Sequence, residues 1–208
     1  MMKILATSFA LSICIYSFSG QAKGITPMHK IFQQFADSTI IIEYPSQSSD
    51  PPSYKIVSKS NDTINTFTYF PLDTTSKNFI KFHKSMPKVL GMVLSMHKTS
   101  FNTVPANVNI FFNFYKVNPD TAKKMWLNIS KFKPWQLLDD KSYPECSAVI
   151  MDASYSIMHL ITKKEIKTLI YYAPYYYEKQ CPGNKNRQGI TGIERLFDKY
   201  IPLKVSYD

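Results

Sequence analysis

The chain has 208 residues, of which 25 are Lys or Arg and 15 are Asp or Glu, giving a formal net charge of +10. That length allows one domain with a substantial core and excludes two comfortable ones. The positive balance fits an acidic partner better than a basic one.

The N-terminus, MMKILATSFALSICIYSFSGQAKG, sets Lys3 ahead of an apolar run, then Gly20 and Ala22 at the small-residue positions a signal peptidase reads. Residues 1–22 are therefore expected to be a secretory signal peptide, and residues 23–208 a single globular domain that is secreted or periplasmic. The apolar run is shorter than the ~20 residues that span a bilayer, so no transmembrane segment is expected after cleavage. Cys14 does not complete a lipoprotein signal, because Ile13 stands where a small residue belongs.

Thr26 followed by Pro27 opens a helix, a capping hydroxyl before a proline in the first turn. Met28, Ile31, Phe32 and Phe35 recur at helical spacing to about Ala36, so this helix should pack on a sheet. STIIIEY is a β-branched strand stopped by Pro45, and SQSSDPPS is loop. SYKIVSKS and TINTFTYF form a hairpin turning at Asn61 and Asp62. Asn61-Asp62-Thr63 and Asn128-Ile129-Ser130 fit the N-glycosylation pattern, which matters only in a host that glycosylates.

Residues 85–97 can form a helix with Val89, Leu90, Val93, Leu94 and His97 on one side, weakened by Gly91. Just before it, Lys77, Lys81, Lys84 and Lys88 interleave with Phe79 and Phe82. Such a stretch can bind single-stranded nucleic acid, polyanionic glycans or an anionic membrane, but the reading adopted is a solvated face with its phenylalanines turned inward. NVNIFFNFYKV is the strongest isolated strand. Asn118 and Pro119 then open a helix with Ala122, Met125, Trp126 and Ile129 as its apolar stripe. Trp135, Leu137 and Leu138 should tuck under the sheet, while Asp139 and Asp140 read as an exposed turn rather than an acid/base pair.

The best-specified piece lies between Cys146 and Cys181. With Lys163 and Lys164 at the tip, Ile161 faces Ile166, His159 faces Thr168, Ile157 faces Ile170 and Tyr155 faces Tyr172. That face is expected to be the core side, and the one with Ser156, Met158, Leu160, Lys167, Leu169 and Tyr171 the outer. After removal of the leader, Cys146 and Cys181 are the remaining cysteines, so in an oxidising compartment they should form a disulfide. The alternative, a catalytic cysteine with His159 as its base, lacks a nucleophile motif; His159 reads as a hydrogen-bonded core residue. YYAPYYYEKQC follows with five tyrosines around one proline. The closing helix has Ile190, Ile193, Leu196, Phe197, Tyr200 and Ile201 on one stripe, starts near Thr191 with Glu194 at capping-box spacing or a turn earlier at Asn186, and ends at Pro202.

The chain contains no G-x-S-x-G, phosphate-cradling glycine loop, H-E-x-x-H or zinc-spaced cysteine pair. No catalytic residue, metal or cofactor is assigned. The expected fold is α+β, with an antiparallel sheet of about six or seven strands and helices, the first and last included, packed mainly on one face. The expected function is a non-enzymatic exported protein binding through Tyr171, Tyr175, Tyr176, Tyr177, Lys179, Lys185 and Arg187. Its partner would be an anionic glycan, a lipid surface or an acidic protein, with nucleic acid not expected. One alternative is a small secreted hydrolase assembled from scattered residues such as His159, Asp152 and Glu178. Another is a structural or assembly subunit of an envelope complex, marked by an exposed apolar patch or an unpaired edge strand.

Overall fold

A computed structural model of the chain describes residues 25–45, 52–69, 112–140 and 146–202. The expected leader, the helix over 85–97, the lysine and phenylalanine stretch before it and the first part of the strand NVNIFFNFYKV lie outside the described residues.

The elements run α1 (Pro27–Phe35), β1 (Ser38–Tyr44), β2 (Ser53–Ser60), β3 (Thr63–Tyr69), β4 (Phe112–Phe114), α2 (Pro119–Ser130), a 3-10 turn (Pro134–Gln136), β5 (Tyr155–Thr162), β6 (Ile166–Tyr172), α3 (Pro174–Gln180) and α4 (Lys185–Tyr200). Among the described residues all strands join one antiparallel sheet in the order β4-β3-β2-β1-β5-β6. Five of them, seven or eight residues long, carry it, rather than the six or seven strands expected. β4 adds a three-residue ladder at one edge, and residues 147–151 stay irregular.

The β5–β6 register is the one counted from the sequence, Tyr155 opposite Tyr172 through Ile161 opposite Ile166. The β2–β3 hairpin likewise turns at Asn61 and Asp62, with Asn61 in the left-handed region at φ 51°, a conformation asparagine tolerates.

Two expectations about the layers are corrected. The helices do not share a face: α1 covers Ile41, Tyr54, Ile56, Tyr69 and Ile161 with Met28 and Phe32, while α2 and α4 cover the other side. The larger core is also the face of the β5–β6 hairpin expected to be outer, with Met158, Leu160, Leu169 and Tyr171 packed among Met125, Ile129, Ile190, Ile193 and Phe197. The physical reason lies in β1, where Ile40, Ile41 and Ile42 are all fully buried. Three isoleucines in a row put apolar side chains on both faces of a central strand, so both faces must be covered. On the larger side the close approach of α4 depends on glycine: a Cβ at Gly189 would come within 2.6 Å of Leu137 Cδ2, and one at Gly192 would collide with the Phe132 ring.

Cys146 and Cys181 form a disulfide, 35 residues apart in sequence with 6.0 Å between Cα atoms. It ties the segment leading into β5 to the end of α3.

Candidate functional site

The C-terminal end of β1 and the first residues of β5 meet the start of α3 and the last turns of α4. Together they enclose a cleft of about 420 Å³ lined by residues that include Glu43, Tyr44, Tyr155, Ser156, Tyr175, Tyr176, Glu194 and Asp198. Tyr155 and Tyr175 are half exposed in its wall. Among the described residues no Lys or Arg lines the cleft, although the chain as a whole is strongly basic.

Each carboxyl group in the lining has its own setting. Asp198 accepts from Lys55 Nζ at 2.6 Å and from the Tyr44 phenol at 3.3 Å, and the same ammonium sits 5.3 Å from the centre of the Tyr44 ring. Lys55 is buried along β2, so its charge is committed to that ion pair. Glu43 accepts from His159 Nε2 at 3.0 Å and lies against the Tyr54 phenol. Glu194 is only 8% exposed and hydrogen-bonds Ser156 and Tyr175. Burial pushes its carboxyl above the usual range, partly opposed by those two hydroxyls and reinforced by Asp198. Burial likewise raises the Tyr44 and Tyr175 phenols, so both rings stay neutral and protonated.

Behind the cleft, on the α1 face, lies a buried polar cluster. With its Nε2 donating to Glu43, His159 receives the Thr168 hydroxyl on Nδ1 at 3.0 Å. The His29 ring meets it edge to face, with centroids 4.3 Å apart. Glu43 belongs to both neighbourhoods, lining the cleft and anchoring His159.

The residues singled out in the sequence are placed as follows. Tyr175 and Tyr176 line the cleft. Tyr177 packs against Tyr172 and Tyr176, with centroids 6.4 and 5.4 Å away. Tyr171 is fully buried and its phenol donates to the Leu138 carbonyl, so it contributes to the core rather than to a surface. Arg187 is buried too, donating to the Cys181 carbonyl at 3.1 Å and lying 3.7 Å from Glu178. Lys179 and Lys185 are exposed, outside the lining. The clustered tyrosines have structural work as well: the Tyr172 and Tyr176 phenols donate to the carbonyls of Ile150 and Val149, both at 3.2 Å.

His159, Asp152 and Glu178 do not converge. His159 bonds Glu43 and Thr168, Glu178 accepts from Gly183 and Gln188, and Asp152 sits exposed in a turn at φ 59°. The residues missed are Tyr44, Tyr155, Glu194 and Asp198. Glu194 and Asp198 stand one helical turn apart, and that acidic pair on the final helix of a basic chain was the available signal.

Among the described residues there is no group of three or more His, Cys, Asp or Glu that could hold a metal ion. Nor is any helix among them long and apolar enough to cross a membrane. Comparison of the chain with protein-family models, with curated proteins and with solved structures finds no match.

Proposed function

We propose that this chain is an exported, non-enzymatic binding protein whose cleft holds a glycan. The observation that carries the reading is the tyrosine-walled cleft itself: Tyr155 and Tyr175 line it as half-exposed rings against which a sugar can pack, and Ser156, Glu194 and Asp198 offer acceptors for its hydroxyls. Export rests on the leader-like N-terminus and agrees with the Cys146–Cys181 disulfide. An anionic glycan, a lipid surface or an acidic protein would have to engage Lys179 and Lys185 instead, because among the described residues the cleft is lined by carboxyl groups and by no Lys or Arg.

The test is calorimetric titration with tetrasaccharides of glucose, of N-acetylglucosamine and of glucosamine. At least one is expected to bind, with Tyr155→Ala and Tyr175→Ala each weakening it about tenfold, the usual worth of a stacked ring. Binding by none of the three, or unchanged binding by both variants, overturns the reading.

A second reading, a hydrolase, gains one observation, a buried Glu194 whose carboxyl is held above its usual range, one helical turn from an Asp198 paired with Lys55. It requires new reducing ends to appear on prolonged incubation with those sugars and to vanish in Glu194→Gln.

A further inference from the structure

We propose that the cleft selects a sugar carrying a free, protonated amine, with Glu194 as the group that receives the ammonium. This rests on the glycan reading above and names the ligand class of the same site. The argument is one of unmatched charge. Three carboxyl groups line the cleft, and two already have partners: Asp198 has Lys55 at 2.6 Å, and Glu43 has His159 at 3.0 Å. Glu194, more than nine-tenths buried, has hydroxyl partners but no ion pair with a cation among the described residues.

A buried carboxylate without a counter-ion is costly, and the cost is relieved when a cation arrives with hydrogen-bond donors to spare. A primary ammonium brings three such donors. The cleft walls suit the same group. Tyrosine faces attract cations, and two of these rings already do so: Lys55 lies 5.3 Å from the Tyr44 centroid and the Arg195 guanidinium 5.5 Å from that of Tyr175. A neutral sugar would meet the same stacking faces but leave the Glu194 charge unanswered. An acidic sugar would add to the repulsion. Burial holds the Glu194 carboxyl above its usual range, the mark of a charge that its surroundings leave under-compensated.

The experiment compares the glucosamine tetrasaccharide with its N-acetylated form and with the glucose tetrasaccharide, by calorimetry at pH 6 and low salt. The expected result is a preference of about tenfold or more for the free amine, as befits a charge-assisted hydrogen bond. The preference should shrink in Glu194→Gln, which keeps the side-chain shape. A control with the unaltered protein guards against a misfolded variant: raising the pH past the pKa of the sugar amines should abolish the preference, although Glu194 itself is then more ionised. Equal affinity for all three sugars overturns this inference while leaving the glycan reading standing, whereas no binding by any overturns both. A lysine tetrapeptide binding as tightly as the glucosamine tetrasaccharide also overturns it, since the cleft would be reading charge without the sugar.

Discussion

His29 shows how one buried side chain sets a pH limit on the whole molecule. Its Nδ1 takes the Thr26 backbone N–H at 3.2 Å and the Thr26 hydroxyl at 2.7 Å, which places the proton of the neutral ring on Nε2. That Nε2 is buried without a hydrogen-bond partner, so the ring has no acceptor ready for a second proton's charge. Burial first, and the neighbouring His159 second, lower the His29 pKa from 6.5 to about 3. The unfolded chain therefore binds a proton near pH 6.5 that the folded chain refuses until about pH 3. Stability is fully present above 6.5 and lost as the pH falls toward 3, at up to about 1.4 kcal/mol per pH unit. His29→Asn keeps an acceptor near Thr26 and cannot titrate. Urea unfolding measured from pH 7 to pH 4 should show a shallower loss in this variant by about one proton. His159 and Tyr54, which face His29 from the sheet, and Glu43, which bonds His159, remain in both proteins, so parallel curves would show that His29 is not the group responsible. Of this cluster the sequence revealed His159 opposite Thr168, a contact within one hairpin. It did not reveal Glu43, 116 positions away, because that contact depends on how β1 and β5 align. Nor did it reveal His29 itself: helical spacing favoured Phe35, which is 70% exposed, over a histidine that is fully buried.

At the scale of elements, the β5–β6 hairpin is local and the segment before it is not. One short turn and an alternating pattern define the hairpin register, which is why counting residues was enough to pair Ile157 with Ile170 and Tyr155 with Tyr172. Its outward and inward faces could not be told apart in the same way, since both carry apolar side chains and the choice belongs to the helices that cover them. The conformation of the tyrosine segment was not legible for a related reason. Extended alternation would scatter its rings, whereas Ala173 turns into the left-handed region at φ 45° and Pro174 starts α3, so Tyr175 and Tyr176 come to line the cleft. Residues 146–154 hold no regular structure and depend on ties: the disulfide, the Tyr172 and Tyr176 phenols, and Ala153 N–H donating to Tyr172 at 3.1 Å. Replacing both Cys146 and Cys181 by Ser should cost about 3 to 4 kcal/mol by the chain-entropy argument, read as a shift in the denaturation midpoint. A variant as stable as the parent would mean that the phenol contacts alone hold this segment.

Across the whole molecule the remaining question is what protects the sheet. The α+β class and the antiparallel pairing were legible, since hairpins and amphipathic helices announce themselves locally, whereas the expectation of helices mainly on one face missed the two-sided cover that three successive isoleucines require. The edges were not legible, because an edge is a property of strand order. β6 is one of the two, and an open edge offers its N–H groups to any passing strand. Here residues 137–140 lie along it. Asp139 Oδ1 accepts from Ile170 N–H at 3.2 Å, the Asp140 carboxyl accepts from Tyr172 N–H, and Lys167 Nζ donates back to the Leu137 carbonyl at 2.5 Å. Side-chain carboxylates thus stand in for a further strand and add negative charge where a second copy would dock. The two adjacent aspartates, which read in the sequence as an exposed turn, are the edge cap. Replacing both by Ala should uncover the N–H groups of Ile170 and Tyr172 and remove the repulsion together. Sedimentation velocity is then expected to show concentration-dependent association absent from the parent, while Asp139→Asn with Asp140→Asn, which keeps acceptors but not charge, should associate less. If the alanine variant sediments as the parent does, the carboxylates are not what keeps this edge apart, and the bulk of the Leu137 and Leu138 backbone covering it is sufficient.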